Sequence, residues 1–397
     1  MAGMPLAETE KKMWVKLPRE PRIKMSPEEI DAKYSSKEER IVTETNREKL
    51  PNFVEALKRP GYMDVRPFYQ RRKRWSPERQ SLLIESLLMN IPVPPLFLYE
   101  SRYNTYEVMD GQQRISAIQS FYANELELTG LERWPELNGK TILKLPPKIR
   151  AGIDRRSISY VVLLTESAEN DEEALLLKQL VFERLNTGGV ELSQQEVRNC
   201  IYQGAFNALL IELSRHPIFR KAWNLPPFSP LENEGPGVDL VDNRFYSSMQ
   251  DVELVLRFFA LRNVQNYQRG MQGFLDLYMI RSRKFTDTDI EHLRKDFVDT
   301  LTLANDVFGD LLFHPFDVKE AEWSPNPQRA FFDAVMVGMN RLLDQGDAMR
   351  AKKNELVQKT RLLFETLPNG TFTGRGNTKK DVQERIDLFE KGLRETL

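Results

Sequence analysis

The chain has 397 residues, a length that exceeds a single small binding module and predicts two or three domains. Hydrophobic residues make up 41% and charged residues 29%, which is typical of a globular protein with a sizeable core. The net charge of −1 argues against a partner that is bound through overall positive charge. Cys200 is the single cysteine, which excludes an internal disulfide and a thiolate zinc cage. No apolar run reaches the roughly 18 residues of a membrane span, and residues 1–10 lack the apolar segment of a secretory signal, so we expect a cytoplasmic protein.

Residues 1–60 are highly charged and interrupted by prolines, and we interpret them as an N-terminal extension. Their one clear helix start is Ser26-Pro27-Glu28-Glu29, where a serine cap is followed by proline and, three places on, by glutamate. We expect this extension to wrap on the body of the protein.

Residues 61–205 alternate between helical and strand patterns and predict an α+β domain. A serine cap at Ser76 opens the first helix, and a second capping box pairs Ser193 with Glu196. Two strands separated by a short turn predict a hairpin. The predicted elements are a helix over 77–90, strands over 96–100 and 106–110, a helix over 111–126, a strand over 158–164, a helix over 171–185 and a helix from 194.

Residues 206–246 form a predicted junction, because the stretch from Pro217 to Phe245 is rich in proline, glycine and asparagine. Residues 247–397 are helical almost throughout and predict a second, all-α domain. Its predicted helices are 249–262, 271–283, 287–308, 329–343, 348–367 and 378–397.

The motif Asp110-Gly111-Gln112-Gln113-Arg114 follows a predicted strand and opens a helix. Free backbone N–H groups at a helix start favour an anion, and a guanidinium in the first turn can add a bidentate contact to phosphate. A carboxylate next to phosphate requires a bridging cation, so Asp110 is the candidate ligand for Mg²⁺. The alternative is structural: Asp110 caps the helix and Arg114 pairs with a surface carboxylate. The residues alone leave both interpretations open.

Residues 66–79 carry six basic side chains and one acidic side chain, a local charge of +5 within a nearly neutral chain. Such a segment could grip a nucleic-acid backbone through Arg72, Lys73 and Arg74 while Trp75 stacks on a base. The alternative is a solvated loop whose arginines serve the nucleotide pocket or surface carboxylates.

Two common site types lack their sequence patterns. The three histidines, His216, His292 and His314, are scattered and do not have the spacing of metal ligands. A Walker A loop is not predicted either, because the stretch from Gly374 to Lys379 has the wrong spacing.

Four ordered blocks resemble a known family. They are Tyr69-Gln70-Arg71 with Trp75, the proline-rich stretch 91–98, the DGQQR motif within 109–115, and Phe182-Glu183-Arg184-Leu185-Asn186-Thr187-Gly188-Gly189 with Leu192, Ser193 and Glu196. Over about residues 62–205 the chain resembles the GmrSD-type restriction endonuclease N-terminal domain family, also known as domain of unknown function 262. Residues 251–257 look like the helical continuation of the family's stand-alone members.

This resemblance implies a domain similar to the ParB and sulfiredoxin folds, with a small mixed sheet, followed here by the all-α domain. It also implies a prokaryotic antiviral defence protein that binds and hydrolyses a nucleoside triphosphate with Mg²⁺. Carried over by motif, catalysis would rest on Asp110, Gln113 and Arg114, with Asp110 as the metal ligand. The nucleotide would contact Gln70, Arg71, Gly111, Gln112, Arg114 and Asn186.

The sequence departs from the family in two places. Lys73 stands where many members have an aromatic residue, which removes one expected base-stacking contact. The His-Asn-His nuclease module that often follows the domain has no counterpart, so we expect any nuclease to lie in another polypeptide.

The helical domain would then couple the nucleotide to DNA or to a partner protein. An alternative function is a non-enzymatic DNA-binding or regulatory scaffold, in which the same helix start grips backbone phosphate. A third, a nuclease in its own right, needs a carboxylate cluster that the spacing does not reveal.

Overall fold

The computed structural model describes residues 6–14, 26–36, 42–65, 75–164, 171–185, 192–233, 237–374 and 376–397. Contacts divide the chain into two compact units, one formed by Met1–Pro18 with Ser193–Leu397 and the other by Arg19–Leu192. The first is the helical unit, and it begins with α1 (Glu8–Lys12). The second is the α+β unit. The domain limits inferred from the sequence stay predictions.

The α+β unit is built on a five-stranded mixed sheet in the order β1-β5-β3-β4-β2. Its elements are α2 (Pro27–Ser36), β1 (Thr43–Lys49), α3 (Leu50–Leu57), β2 (Met63–Asp64), α4 (Pro77–Leu88), β3 (Leu96–Arg102), β4 (Thr105–Asp110), α5 (Gln112–Tyr122), α6 (Pro147–Asp154), β5 (Ser157–Leu163) and α7 (Asp171–Leu185). The pairs β1–β5 and β3–β4 are antiparallel, whereas β3–β5 and β2–β4 are parallel. The predicted α+β class with a small mixed sheet is therefore confirmed.

The core of this unit lies on one face of the sheet. Leu96, Leu98 and Val108 are buried there together with side chains of α3, α4 and α5. Glu107 precedes Val108 in β4 and faces the opposite side, because successive side chains in a strand alternate. On that side it pairs with Lys178 of α7. The sheet is thus covered on both faces at β4.

The predicted hairpin and helix caps are confirmed. The strands β3 and β4 meet at a turn in which Asn104 has a positive φ of 58°. Ser76 caps α4 by accepting a hydrogen bond from the backbone N–H of Arg79. Ser193 and Glu196 form the predicted reciprocal capping box.

Residues 43–57 lie within the segment that we interpret as an extension, yet they form β1 and α3. β1 pairs with β5 from Thr43 to Lys49, and α3 buries Leu50 and Phe53 in the core. The strand sequence, TETNREK, is polar on both faces and gives no alternating apolar signal. It is held as an edge strand by backbone pairing.

The helical unit contains most of the remaining elements and confirms the predicted all-α part of the fold class. Its helices are α8 (Gln194–Ile201), α9 (Ala205–Ser214), α10 (Pro217–Ala222), α11 (Val238–Asp242), α12 (Arg244–Ser247), α13 (Gln250–Leu261), α14 (Gly270–Ser282), α15 (Asp287–Phe308), α16 (Arg329–Asn340), α17 (Gly346–Ala351), α18 (Lys353–Thr366) and α19 (Lys379–Thr396), with a short hairpin of β6 (Phe316–Asp317) and β7 (Glu322–Trp323). The helix predicted over 348–367 is broken between α17 and α18. The predicted junction is partly helical, and a buried ion pair of Arg220 with Glu232 holds it.

The segment 6–14 is anchored in the helical unit by a buried carboxylate. Glu10 accepts hydrogen bonds from Arg262 at 2.6 Å, from the Asn263 amide at 2.7 Å and from the Tyr278 hydroxyl at 2.8 Å. Trp14 stacks on Phe274, with ring centroids 5.3 Å apart. Within the described part of the chain, no helix is both long and apolar enough for a bilayer crossing.

Candidate functional site

The DGQQR motif forms a sharp turn between β4 and α5. β4 ends at Asp110, Gly111 adopts a left-handed φ of 98°, and α5 begins at Gln112. A Cβ on Gly111 would lie 2.2 Å from Leu96 Cδ2, so both its φ and its surroundings require glycine. Among the described residues no side chain caps α5, and its first backbone bond runs from the Ile115 N–H to the Gly111 carbonyl. The described part of the chain therefore supplies no anionic side chain as a cap for α5.

The Arg114 guanidinium is bonded within the protein. Its NH2 group donates to Asp110 Oδ2 at 2.6 Å, and its NH1 group donates to the carbonyls of Pro94 and Pro95. The Arg114 side chain is 10% exposed, whereas that of Asp110 is 46% exposed. Burial lowers the pKa of Arg114, and the charge of Asp110 opposes that shift. Arg114 thus fixes the carboxylate of its own motif and the proline-rich segment before β3.

Gln113 is the most deeply enclosed amide of the motif, with 6% of the residue exposed. Its Oε1 accepts a hydrogen bond from the backbone N–H of Trp75 at 3.2 Å. Its Nε2 is buried and has no hydrogen-bond partner among the described residues. Gln112, at the first position of α5, is partly exposed. The start of α5 consequently presents a buried amide donor next to the helix end.

Trp75 joins the basic segment to this turn. The Arg79 guanidinium lies over the indole ring at 4.9 Å from its centroid, and the Trp75 carbonyl accepts from Gln80 at 3.0 Å. One face of the ring therefore already carries a cation, which competes with stacking on a base. Six other predicted site residues lie outside the described residues: Gln70, Arg71, Arg72, Lys73, Arg74 and Asn186.

Three sequence blocks meet at the DGQQR turn. Gln113 bonds the backbone at Trp75, Arg114 bonds the carbonyls of Pro94 and Pro95, and Gly111 packs against Leu96. These contacts give a physical reason for the blocks to occur together, since each supplies a partner that the motif needs.

An ion pair next to the site was not anticipated from the sequence. Lys178 of α7 is 4% exposed, bonds Glu107 of β4 and lies 5.0 Å from the centroid of the Tyr99 ring. A lysine inside the apolar run of α7 and a glutamate inside β4 were the available signals, because charges at such positions are buried only when paired. The pair fastens α7, which carries Phe182 and Arg184 of the fourth block, to the strand that ends at Asp110.

Metal ligands are sparse around this turn. Within the described ranges, no group of three or more His, Cys, Asp or Glu side chains could hold a metal ion. A metal at Asp110 would therefore take its other ligands from water and from a bound anion. Two of the three histidines have partners elsewhere: His314 Nδ1 lies 2.7 Å from the Ser324 carbonyl, and His292 lies 3.4 Å from Asp296.

Residues 50–203 match the family model described as GmrSD restriction endonuclease, N-terminal domain. This segment is a GmrSD N-terminal domain. The resemblance inferred from the four blocks is confirmed, and the GmrSD domain contains the whole DGQQR turn together with Trp75 and the proline-rich segment. Its first matched residue, Leu50, begins α3, so this helix of the predicted extension is part of the GmrSD domain. No curated protein and no solved structure matches the chain significantly.

Proposed function

We propose that this chain is a prokaryotic restriction-type defence protein that binds a nucleoside triphosphate with Mg²⁺ at the start of α5 and hydrolyses it. The GmrSD domain supports membership of a restriction-type defence family. The observation that carries the finer proposal is the turn itself, where a half-exposed carboxylate lies next to a helix start and a buried Gln113 Nε2 group, neither of which has a side-chain partner among the described residues.

The start of α5 supplies the phosphate contacts. A helix N-terminus stabilises an anion by about 0.3–1 kcal/mol, so further donors are needed for a binding site. The Nε2 group of Gln113 is such a donor, and a phosphate oxygen would satisfy it. The ion pair of Arg114 with Asp110 has no net charge, so it does not repel the triphosphate.

Asp110 supplies the metal contact. Its Oδ2 accepts from Arg114, which orients the carboxylate and leaves Oδ1 for a cation. Mg²⁺ is commonly bound by one or two carboxylates together with water and substrate phosphates. One carboxylate at a helix start that binds phosphate fits this pattern.

In the proposed hydrolysis, Asp110, Gln113 and Arg114 have different roles. Asp110 would hold Mg²⁺, whose positive charge would offset the negative charge that develops on the phosphoryl oxygens, and Gln113 would orient the transferred group or the attacking water. Arg114 acts by holding Asp110 in place. Gly111 and Gln112 contribute backbone at the helix start, and the helical unit couples the nucleotide to DNA or to a partner protein.

The test compares Asp110→Asn with Glu125→Gln, an exposed acidic residue of the same unit, as the control. We expect Mg²⁺ and one of the four common NTPs to raise the Tm of the wild type and of Glu125→Gln, with release of phosphate. A ligand at about 100 times its Kd adds roughly 2.7 kcal/mol of stability. Asp110→Asn should lose the Mg²⁺-dependent part of both signals.

Two results would contradict the proposal. One is equal turnover in Asp110→Asn and the wild type. The other is no shift in Tm with any NTP, and if DNA binding then weakens steeply with salt, the non-enzymatic scaffold takes its place.

A further inference from the structure

A cavity of about 250 Å³ lies within the helical unit, between the start of α9 and the end of α14. Its lining contains Gly204, Ala205 and Asn207 on one side and Ser282 and Arg283 on the other. The residues that line this cavity belong to the helical unit, whereas the DGQQR turn belongs to the α+β unit.

The start of α9 lines the cavity, and no side chain in the described part of the chain caps it. Gly204 is the N-cap residue, and α9 runs for 10 residues from Ala205. The first backbone bond of the helix runs from the Ala208 N–H to the Gly204 carbonyl at 3.1 Å. The N–H groups of residues 205–207 therefore precede the helical hydrogen-bond ladder, which gives this end a partial positive charge.

The only charged side chain in the lining is positive. Arg283 is exposed and forms no ion pair with any residue in the described ranges, and no aspartate or glutamate lines the cavity. The carbonyls of Arg281 and Ser282 accept from the N–H groups of Lys284 and Phe285, so the negative end of α14 is partly neutralised. The cavity is electrostatically suited to an anion.

Asn207 adds an independent indication of a ligand. The residue is 5% exposed, and its Nδ2 donates to Asn199 Oδ1 at 2.8 Å. Its Oδ1 is buried without a hydrogen-bond partner among the described residues, a state that costs about 1–3 kcal/mol unless a donor reaches it. A ligand that carries an O–H group would supply that donor.

We propose that this cavity binds a protonated phosphate group. The phosphate oxygens would accept from the α9 N–H groups and from Arg283, and the P–O–H would donate to Asn207 Oδ1. Tyr202 and Phe206 provide apolar walls for the rest of a phosphomonoester. Free phosphate and the phosphate group of a nucleoside monophosphate share this chemistry. Neither needs a metal ion at the site.

The experiment is calorimetric titration without Mg²⁺ and at constant ionic strength, with inorganic phosphate, sulfate and a nucleoside monophosphate as the probes. Arg283→Gln is the test variant, and Lys284→Gln, which changes an exposed neighbour outside the lining, is the matched control. We expect phosphate to bind the wild type and Lys284→Gln equally, and Arg283→Gln at least about tenfold more weakly, since removal of a charge-assisted hydrogen bond costs about 1.5–3 kcal/mol. Sulfate has no proton at neutral pH, so it should bind more weakly than phosphate.

The nucleoside monophosphate distinguishes a site for a phosphate group carried on a nucleoside from a site for free phosphate. Binding as tight as that of phosphate supports a carried phosphate group, and exclusion of the nucleotide supports a site for the free anion. The proposal is overturned if phosphate does not bind, if Lys284→Gln weakens binding as much as Arg283→Gln, or if sulfate binds as well as phosphate. Asp110→Asn should leave phosphate binding here unchanged, which separates this test from that of the proposed NTP site.

Discussion

Gly111 and Arg114 connect segments that are far apart in the sequence. Arg114 reaches carbonyls 19 and 20 positions earlier, and Gly111 allows the turn to lie against Leu96. The motif therefore has a structural role, in addition to the chemistry that we propose for it. Substitutions in it can abolish function by disturbing this packing, so their stability has to be measured alongside any activity.

Gly111→Ala should destabilise the α+β unit by about 2 kcal/mol or more, because a left-handed φ costs a non-glycine residue about 1–3 kcal/mol and overpacking adds about as much. Gly139→Ala is the matched control. Gly139 has a similar φ of 77° but an added Cβ would meet nothing within 4 Å, so only the backbone cost applies. Urea unfolding measures the free energy of unfolding of both variants. Equal losses of that free energy would contradict the close approach of Gly111 to Leu96.

A pH dependence is expected at His216, the N-cap residue of α10. Burial lowers the pKa of this imidazole below its ordinary value, and its buried Nδ1 has no partner among the described residues. As the pH falls, the unfolded chain therefore takes up the proton first, at about pH 6.5. The contribution of His216 to stability is full above that pH and declines as the pH falls toward the lowered folded-state pKa.

His216→Gln should remove this part of the pH dependence. The measurement is the free energy of unfolding of both proteins between pH 8 and pH 5. Because His292 and His314 are retained in the variant, the difference between the two curves isolates His216. Parallel curves would contradict the prediction.

Among the elements, those with strong local signals could be predicted from the sequence. The serine cap of α4, the hairpin of β3 and β4, and the long amphipathic α15 all follow the patterns that their residues display. β1 could not be predicted, because a polar edge strand depends on backbone pairing with β5, which lies more than 100 residues later.

In the candidate site, too, some features could be predicted from the sequence and others could not. The turn at Gly111 and the helix after it are local features, and the sequence predicts both. The partners of Arg114 are not local, because the carbonyls of Pro94 and Pro95 carry no side-chain signal of their role. The pairing of Lys178 with Glu107 likewise depends on how α7 packs on β4.

The cap of α8 also joins two elements, so its loss should cost more than that of an ordinary cap. The Ser193 hydroxyl accepts from the Glu196 N–H at 3.2 Å and donates to the Ser248 carbonyl at 2.7 Å. Ser193→Ala should lower the free energy of unfolding by about 2 kcal/mol, since a cap contributes about 1 kcal/mol and a further hydrogen bond about as much. Thr378→Ala in the same unit removes an exposed cap whose two hydrogen bonds are both to Asp381 in the first turn of α19, and it should cost about 1 kcal/mol. Similar losses in the two variants would argue against the second contact.

At the scale of the whole molecule, the helical unit is assembled from two separate parts of the chain. Residues 6–14 join it through Glu10, although the residues that follow in the sequence belong to the α+β unit. Glu10→Ala should therefore destabilise the helical unit by about 3–5 kcal/mol, because it leaves Arg262 buried with one carboxylate fewer.

Glu8→Ala is the control for that variant. The Glu8 side chain is 83% exposed and pairs with Lys12 at 3.5 Å, an arrangement that contributes little to stability. Hydrogen exchange of the amides of α13 and α14 measures the effect locally. Equal protection of these amides in Glu10→Ala and Glu8→Ala would show that residues 6–14 are not anchored through the Glu10 carboxylate.

The division of the chain makes the α+β unit an insertion within the helical unit. Both of its ends are continuous with helical-unit sequence, before Arg19 and after Leu192. A single cut of the backbone between residues 14 and 26 would leave the two units covalently joined through residues 192 and 193, and residues 6–14 would remain bound through Glu10. The α+β unit thus has two covalent connections to the helical unit, and the N-terminal one is fixed by the contacts of residues 6–14, which include the Glu10 carboxylate and the Trp14 ring.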